Sequence, residues 1–149
     1  MPHIHVRIPH ATLDAGQKAE LARRLTTDVL AAEGLEDTEL QRSLCWVSID
    51  ETAPANWFVA GEPTDQRPEL HAFVRVTTLA GLLTDEKRSA VHRAVNEAVV
   101  DAGGGDPLGG LGVWVAIEEV PDGSWGTAGN TIRQSALRHA VATAATPAA

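Results

Sequence analysis

Cysteine occurs once in 149 residues, at Cys45. A single thiol cannot staple a fold, so a disulfide framework is excluded and a reducing cytoplasm is the expected location. Any run of about 18 apolar residues is also missing, so no membrane span is expected. His3, Arg7 and Pro9 interrupt the first segment, which argues against a signal peptide. Positive charge is scarce: 12 Lys and Arg stand against 20 Asp and Glu, a formal charge of −8. That balance argues against nucleic acid or an anionic membrane as partner. Metal-ligand patterns are thin. His3 and His5 form an HxH pair on one strand face, but zinc wants a third and usually a fourth ligand, and His71 is the one further candidate. No metal and no cofactor is therefore expected. The stretch GGGDPLGG, residues 103–110, follows a helix and lacks the lysine of a phosphate loop.

What is present is a chain written twice. PHIHVRI, residues 2–8, returns as LHAFVRV, residues 70–76. CWVSIDETAPANWFVAG from Cys45 returns 68 residues later, without a gap, as VWVAIEEVPDGSWGTAG from Val113. Trp46 falls on Trp114 and Trp57 on Trp125, so all four tryptophans occupy two repeated positions. Each copy reads as strand, helix, strand. Ile4, Val6 and Ile8 alternate with His3, His5 and Arg7 at a period of two. Asp14 is placed to cap a helix over Ala15–Ala32, with Leu21, Leu25 and Val29 inward and Gly34 as its stop. The second helix is predicted over Thr84–Ala102, with Thr84 as cap, Val91, Val95 and Val99 inward, and Gly103–Gly105 as its stop. The second strands are predicted over Leu44–Asp50 and Leu111–Glu118, each followed by a turn able to form a small hairpin. Parallel strands joined through a helix cross right-handedly. Two such units give an α+β domain: a four-stranded mixed sheet with two helices on one face. The expected layout is a first βαβ unit over residues 2–62, a linker over 63–69, a second unit over 70–130, and a C-terminal helix and tail over 131–149. In that tail Ile132, Ala136 and Leu137 are expected to point inward.

Pro2 at the head of a strand, the βαβ unit, and the IxE…W…G segment closing each unit together resemble the tautomerase superfamily. The resemblance covers residues 2–129. It is to members built of two fused 4-oxalocrotonate tautomerase-like units, of cis-3-chloroacrylic acid dehalogenase-like length. It implies a homotrimer and a catalytic amino-terminal proline, here Pro2, exposed by removal of Met1. Leu70 stands at the matching place of the second unit, so one working site per chain is implied. Arginines that the family uses to hold carboxylates fall on Thr12, Trp46 or Trp114, and near Leu79, Ala80 and Leu83. The dehalogenase histidine falls near Leu30, its tyrosine near Ala116 and its glutamate near Thr127. Hydration or dehalogenation of an unsaturated acid is thus the weaker alternative, and a non-catalytic trimeric scaffold or binding protein of the same fold is the other.

A free α-amine has a pKa of roughly 8, so it is mostly protonated at neutral pH. Burial in an apolar pocket, or a nearby cation, lowers that value and creates a general base. Leu79, Leu82, Leu83 and the tryptophans are candidates for the apolar wall. Arg75 and Arg7 are candidates for the positive field and for a substrate carboxylate, and Trp114, Trp57 and Trp125 for substrate contacts. The expected reaction is a 1,3-proton shift on a small carbonyl or 2-oxo acid. His3, His5, Arg7, His71, Phe73 and Arg75 are expected on the sheet face away from the helices. Cys45 reads as an inert core thiol and Glu118 and Glu119 as a solvated strand end.

Overall fold

The computed structural model describes residues 2–67, 69–105 and 111–136. The first strand, β1 (His3–Pro9), runs into helix α1 (Ala15–Glu33). A short helix, α2 (Glu39–Ser43), leads to strand β2 (Trp46–Thr52) and a hairpin of β3 (Phe58–Val59) and β4 (Glu62–Pro63). The second half repeats this as β5 (Ala72–Leu79), α3 (Asp85–Ala102), β6 (Val113–Val120) and a hairpin of β7 (Trp125–Thr127) and β8 (Asn130–Ile132). The main sheet has the order β2-β1-β5-β6. β1 and β2 are parallel, β5 and β6 are parallel, and β1 meets β5 antiparallel with His3 opposite Thr77 and Ile4 opposite Val76.

Both long helices form for reasons visible in the chain. The Asp14 carboxylate accepts from Gln17 N, and the Gln17 side chain accepts from Asp14 N, a reciprocal capping box. α1 ends at Gly34, which takes a left-handed φ of 76° that costs glycine nothing. Thr84 caps α3 through Lys87 N. Leu21, Leu25 and Val29 on α1, and Val91, Val95 and Val99 on α3, are fully buried against Ile4, Val6, Ile8, Val74 and Val76 of the central strands. The two helices cross-tie at their ends. Lys87 Nζ donates to the last carbonyl of α1, Glu33 O, at 2.6 Å, and Gln17 Nε2 donates to the last carbonyl of α3, Ala102 O, at 3.0 Å.

Several boundaries differ from the sequence reading. β2 and β6 start two residues later than expected. Leu44 is spent closing α2, its N–H bonded to Leu40 O, and Leu111 and Gly112 form a turn. The stretch read as a linker is structured: Glu62 and Pro63 pair with β3, and residues 64–66 form a 3-10 turn. Ile132 belongs to β8, opposite Trp125, so the expected tail helix starts after it. Residues 134–136 are helical, and Leu137 with the rest of the tail lies outside the described residues. His71 was expected on the outer face, yet it is buried at 5% exposure. β5 begins only at Ala72, so strand alternation does not govern the residue before it. None of the described helices is long and apolar enough to cross a membrane.

The caps give a direct test. Asp14→Ala should lower unfolding free energy by about 1 kcal/mol in chemical denaturation. Gly34→Ala should also destabilise, because a Cβ there is strained at this φ and would meet Lys87 Nζ at 3.1 Å.

Candidate active site at the head of the first strand

Pro2 precedes β1 and is buried. Its carbonyl accepts the N–H of Trp46 at 3.1 Å, which ties it to the start of β2. It shares parity with Ile4, Val6 and Ile8, all fully buried beneath the helices. Continuing the β1–β5 register past His3 and Thr77 places Thr78 across from it, and Thr78 is fully buried. Cys45, adjacent to Trp46, closes the β2 side. Leu79 and Leu83, expected as apolar wall, are buried just beyond Thr78 in the chain, and Leu82 is half-buried.

Glu33 completes this corner, and the sequence reading passed over it. It is the last residue of α1 and is 5% exposed. The signal was present: Leu21, Leu25, Val29 and Glu33 follow one another at spacings of four, so the apolar stripe runs directly into a carboxylate. Burial pushes the Glu33 carboxyl above its ordinary value, while the Thr78 hydroxyl and Lys87 pull it back. Among the described residues, neither Glu33 Oε1 nor Thr78 Oγ1 has a hydrogen-bond partner of ordinary length. Burial likewise pushes the Cys45 thiol up, opposed by Thr26, and the nearby Glu33 adds to the rise.

The other expected site residues lie elsewhere in the chain. Arg7 and Arg75 are exposed on the sheet face away from the helices, with Arg75 opposite His5 and 3.8 Å from Glu118. Arg7 lies five residues along β1 from Pro2 and Arg75 level with a position three residues along, about 17 and 10 Å. By strand position neither arginine adjoins Pro2 within one chain. Trp114 shares that open face, 69% exposed, as does Trp46 at 71%. Their indole N–H groups donate to Leu111 O and Ser43 O, one turn back in each repeat. Trp57 and Trp125 are half-buried beside and within the closing hairpins. His3 and His5 stack on the open face, where His3 Nε2 is 3.2 Å from Ser48 Oγ and His5 Nε2 2.7 Å from Asp50 Oδ2. Among the described residues no three His, Cys, Asp or Glu side chains gather as a metal site. Glu119 is not a free acid: Arg88 holds its carboxyl below the usual range from 2.6 Å, and Gly81 N also donates to it.

A cavity of about 640 Å³ lies at the opposite end of β1, lined by Pro9, His10, Thr12, Arg67, Leu70 and Gly103 among others. Leu70 is the counterpart of Pro2, so this hollow is the repeat's mirror of the Pro2 corner, with leucine in place of the amino-terminal proline.

Burial and the nearby Glu33 charge, which both push its thiol up, make Cys45 a slow nucleophile, since the thiolate is the reactive form. A thiol reagent should label native Cys45 far more slowly than the unfolded chain at the same pH. Equal rates would contradict the burial.

Comparison with known proteins agrees with this architecture. A family model described as tautomerase enzyme matches residues 2–67, the first unit. None of the curated proteins matches the chain. Among solved structures, a fused 4-OT described as a wild-type symmetric trimer is 27% identical, with a TM-score of 0.72 over 91% of this chain and 98% of its own. N1, a member of the cis-3-chloroacrylic acid dehalogenase family, is 19% identical, with a TM-score of 0.76 over 97% of this chain and 92% of its own. Pt0534 inactivated by 2-oxo-3-pentynoate is 20% identical, with a TM-score of 0.71 over 91% of this chain and 98% of its own. The first unit thus matches the tautomerase family model, and the whole chain has the fold of fused two-unit proteins similar to that superfamily.

Proposed function

We propose that this protein is a tautomerase in which the Pro2 amine, freed of Met1, moves a proton between two positions of a small carbonyl or 2-oxo acid substrate. The observation that carries this reading is the burial of Pro2 at the head of β1, where neighbouring side chains exclude bulk water. A secondary amine in such a place loses solvation of its charged form and becomes available as a base near neutral pH. It removes a proton from a carbon next to the carbonyl, the electron pair moves onto the oxygen, and the ammonium returns the proton to another carbon. The inactivation of one structural neighbour by an acetylenic 2-oxo acid supports this substrate class.

The second part of the reading is a homotrimer. Support comes from the exposed Trp46, Trp114 and Phe58, too much aromatic surface for a chain with only two Phe and four Trp, and from the trimer named for a structural neighbour. In the trimer, Arg75 and Arg7 of the open face receive the substrate carboxylate across a subunit boundary, as arginine's planar fork suits. Trp114, Trp57 and Trp125 supply apolar contacts there. The scaffold reading is favoured by one fact: among the described residues, no arginine of the same chain adjoins Pro2.

Three measurements check these statements. Intact mass should show Met1 absent, because its retention would acylate the Pro2 nitrogen and abolish its basicity. Pro2→Ala should slow ketonisation of phenylpyruvate enol by about 100-fold or more, and equal rates would leave the scaffold reading. Light scattering should give a three-chain mass for the wild type, and Trp46→Asp with Trp114→Asp should shift it towards one chain. A monomeric wild type would contradict the assembly.

A further inference from the structure

We propose that Glu33 is the anionic partner of the Pro2 amine, a positioning residue whose carboxylate faces that amine at the head of β1. The inference rests on the reading that Pro2 carries the free amine, and it adds what governs that amine's charge.

The placement comes from three elements. Trp46 N binds Pro2 O, which brings Cys45 beside Pro2. The Cys45 thiol in turn responds to the Glu33 charge. Thr78, across from Pro2 by register, acts on the Glu33 carboxyl from β5. Gly103, the repeat's counterpart of Glu33, lies against Leu70, the counterpart of Pro2, which places Glu33 at the Pro2 corner from α1, with Cys45 from β2 and Thr78 from β5, and all three are buried. The remaining charges facing the corner are accounted for. Lys87 of α3 spends its ammonium on the Glu33 carbonyl, at 2.6 Å, and Arg42 of α2 pairs with Asp37 at 2.9 Å. Arg7 and Arg75 lie on the other face of the sheet.

The internal repeat supplies an independent argument. The helix ends repeat at an offset of 70: Gly34 N bonded to Ala31 O and Leu35 N to Leu30 O return as Gly104 N to Asp101 O and Gly105 N to Val100 O. Glu33 therefore corresponds to Gly103, where a Cβ would meet the Leu70 side chain at 2.9 Å. The first unit sets Glu33 with Pro2, and the second sets Gly103 with Leu70. The carboxylate and the imino acid occur together in one unit and are lost together in the other. A buried carboxylate without a partner is costly, which gives no reason to keep Glu33 for packing alone.

The consequence reverses the usual expectation for such a base. Burial weakens the amine as a proton acceptor, and the Glu33 carboxylate strengthens it again. When Pro2 takes a proton from substrate carbon, the new ammonium forms beside an anion that stabilises it. The two groups then titrate as one pair, with steps that belong to neither alone.

The test is the titration of the Pro2 nitrogen, followed by NMR in the processed full-length protein and in Glu33→Gln. The amine's midpoint should fall by about one to three units in Glu33→Gln, and Glu33→Asp should restore most of it. In the wild type, the Pro2 nitrogen and the Glu33 carboxyl carbon should move through the same two steps. This second measurement decides the matter even if Glu33→Gln folds poorly. An unchanged midpoint in Glu33→Gln, or independent single steps in the wild type, would overturn the pairing. Neither readout needs a substrate. Should Pro2→Ala remain active while Glu33→Gln shifts the amine, the catalytic reading falls and the pair stands.

Discussion

The antiparallel contact between β1 and β5 is what makes one domain of two βαβ units. Each unit alone is a two-stranded parallel sheet under one helix, with too little apolar surface to bury. Joining them through their first strands puts Ile4, Val6, Val74 and Val76 at the centre, each fully buried. The same contact creates two equivalent corners, one at each end of the β1–β5 seam. Pro2 lies opposite Thr78 at one end, and Leu70 lies beside Pro9 and His10 at the other. The position of the candidate site thus follows from the pairing that holds the core.

The two units share more than their strands. The loop after β1 is closed by Glu51, which takes Lys18 Nζ at 2.8 Å and the N–H of Ala11. The loop after β5 is closed by Glu119, which takes Arg88 at 2.6 Å and the N–H of Gly81. Ala11 and Gly81 both have positive φ, as do Ala60 with Gly61 and Ala128 with Gly129 in the two hairpin turns. These conserving details lie in the scaffold. The differences gather at the corners: Pro2 against Leu70 and Glu33 against Gly103.

Much of this was legible in the chain. Two-residue alternation separated the buried from the open face of β1, and Asp14, Gly34 and Thr84 marked the helix ends through backbone chemistry that is local. The 68-residue repeat exposed the four-stranded plan. What escaped is what local pattern does not encode. α2 has only five residues, too few to show a period. Glu33 was passed over, because a charged side chain is seldom buried, and only its spacing from Val29 pointed to it. His71 escaped alternation by lying one residue before its strand.

The central claim is that a single buried imino nitrogen carries the reactivity of the chain. Its most direct test is to treat the protein with an electrophilic acetylenic 2-oxo acid and locate the adduct by peptide mass spectrometry. The account predicts one adduct per chain, on the Pro2 nitrogen, with Cys45 unmodified and the Leu70 corner bare. An adduct on Cys45 or on lysine with Pro2 untouched, or none at all, would contradict it.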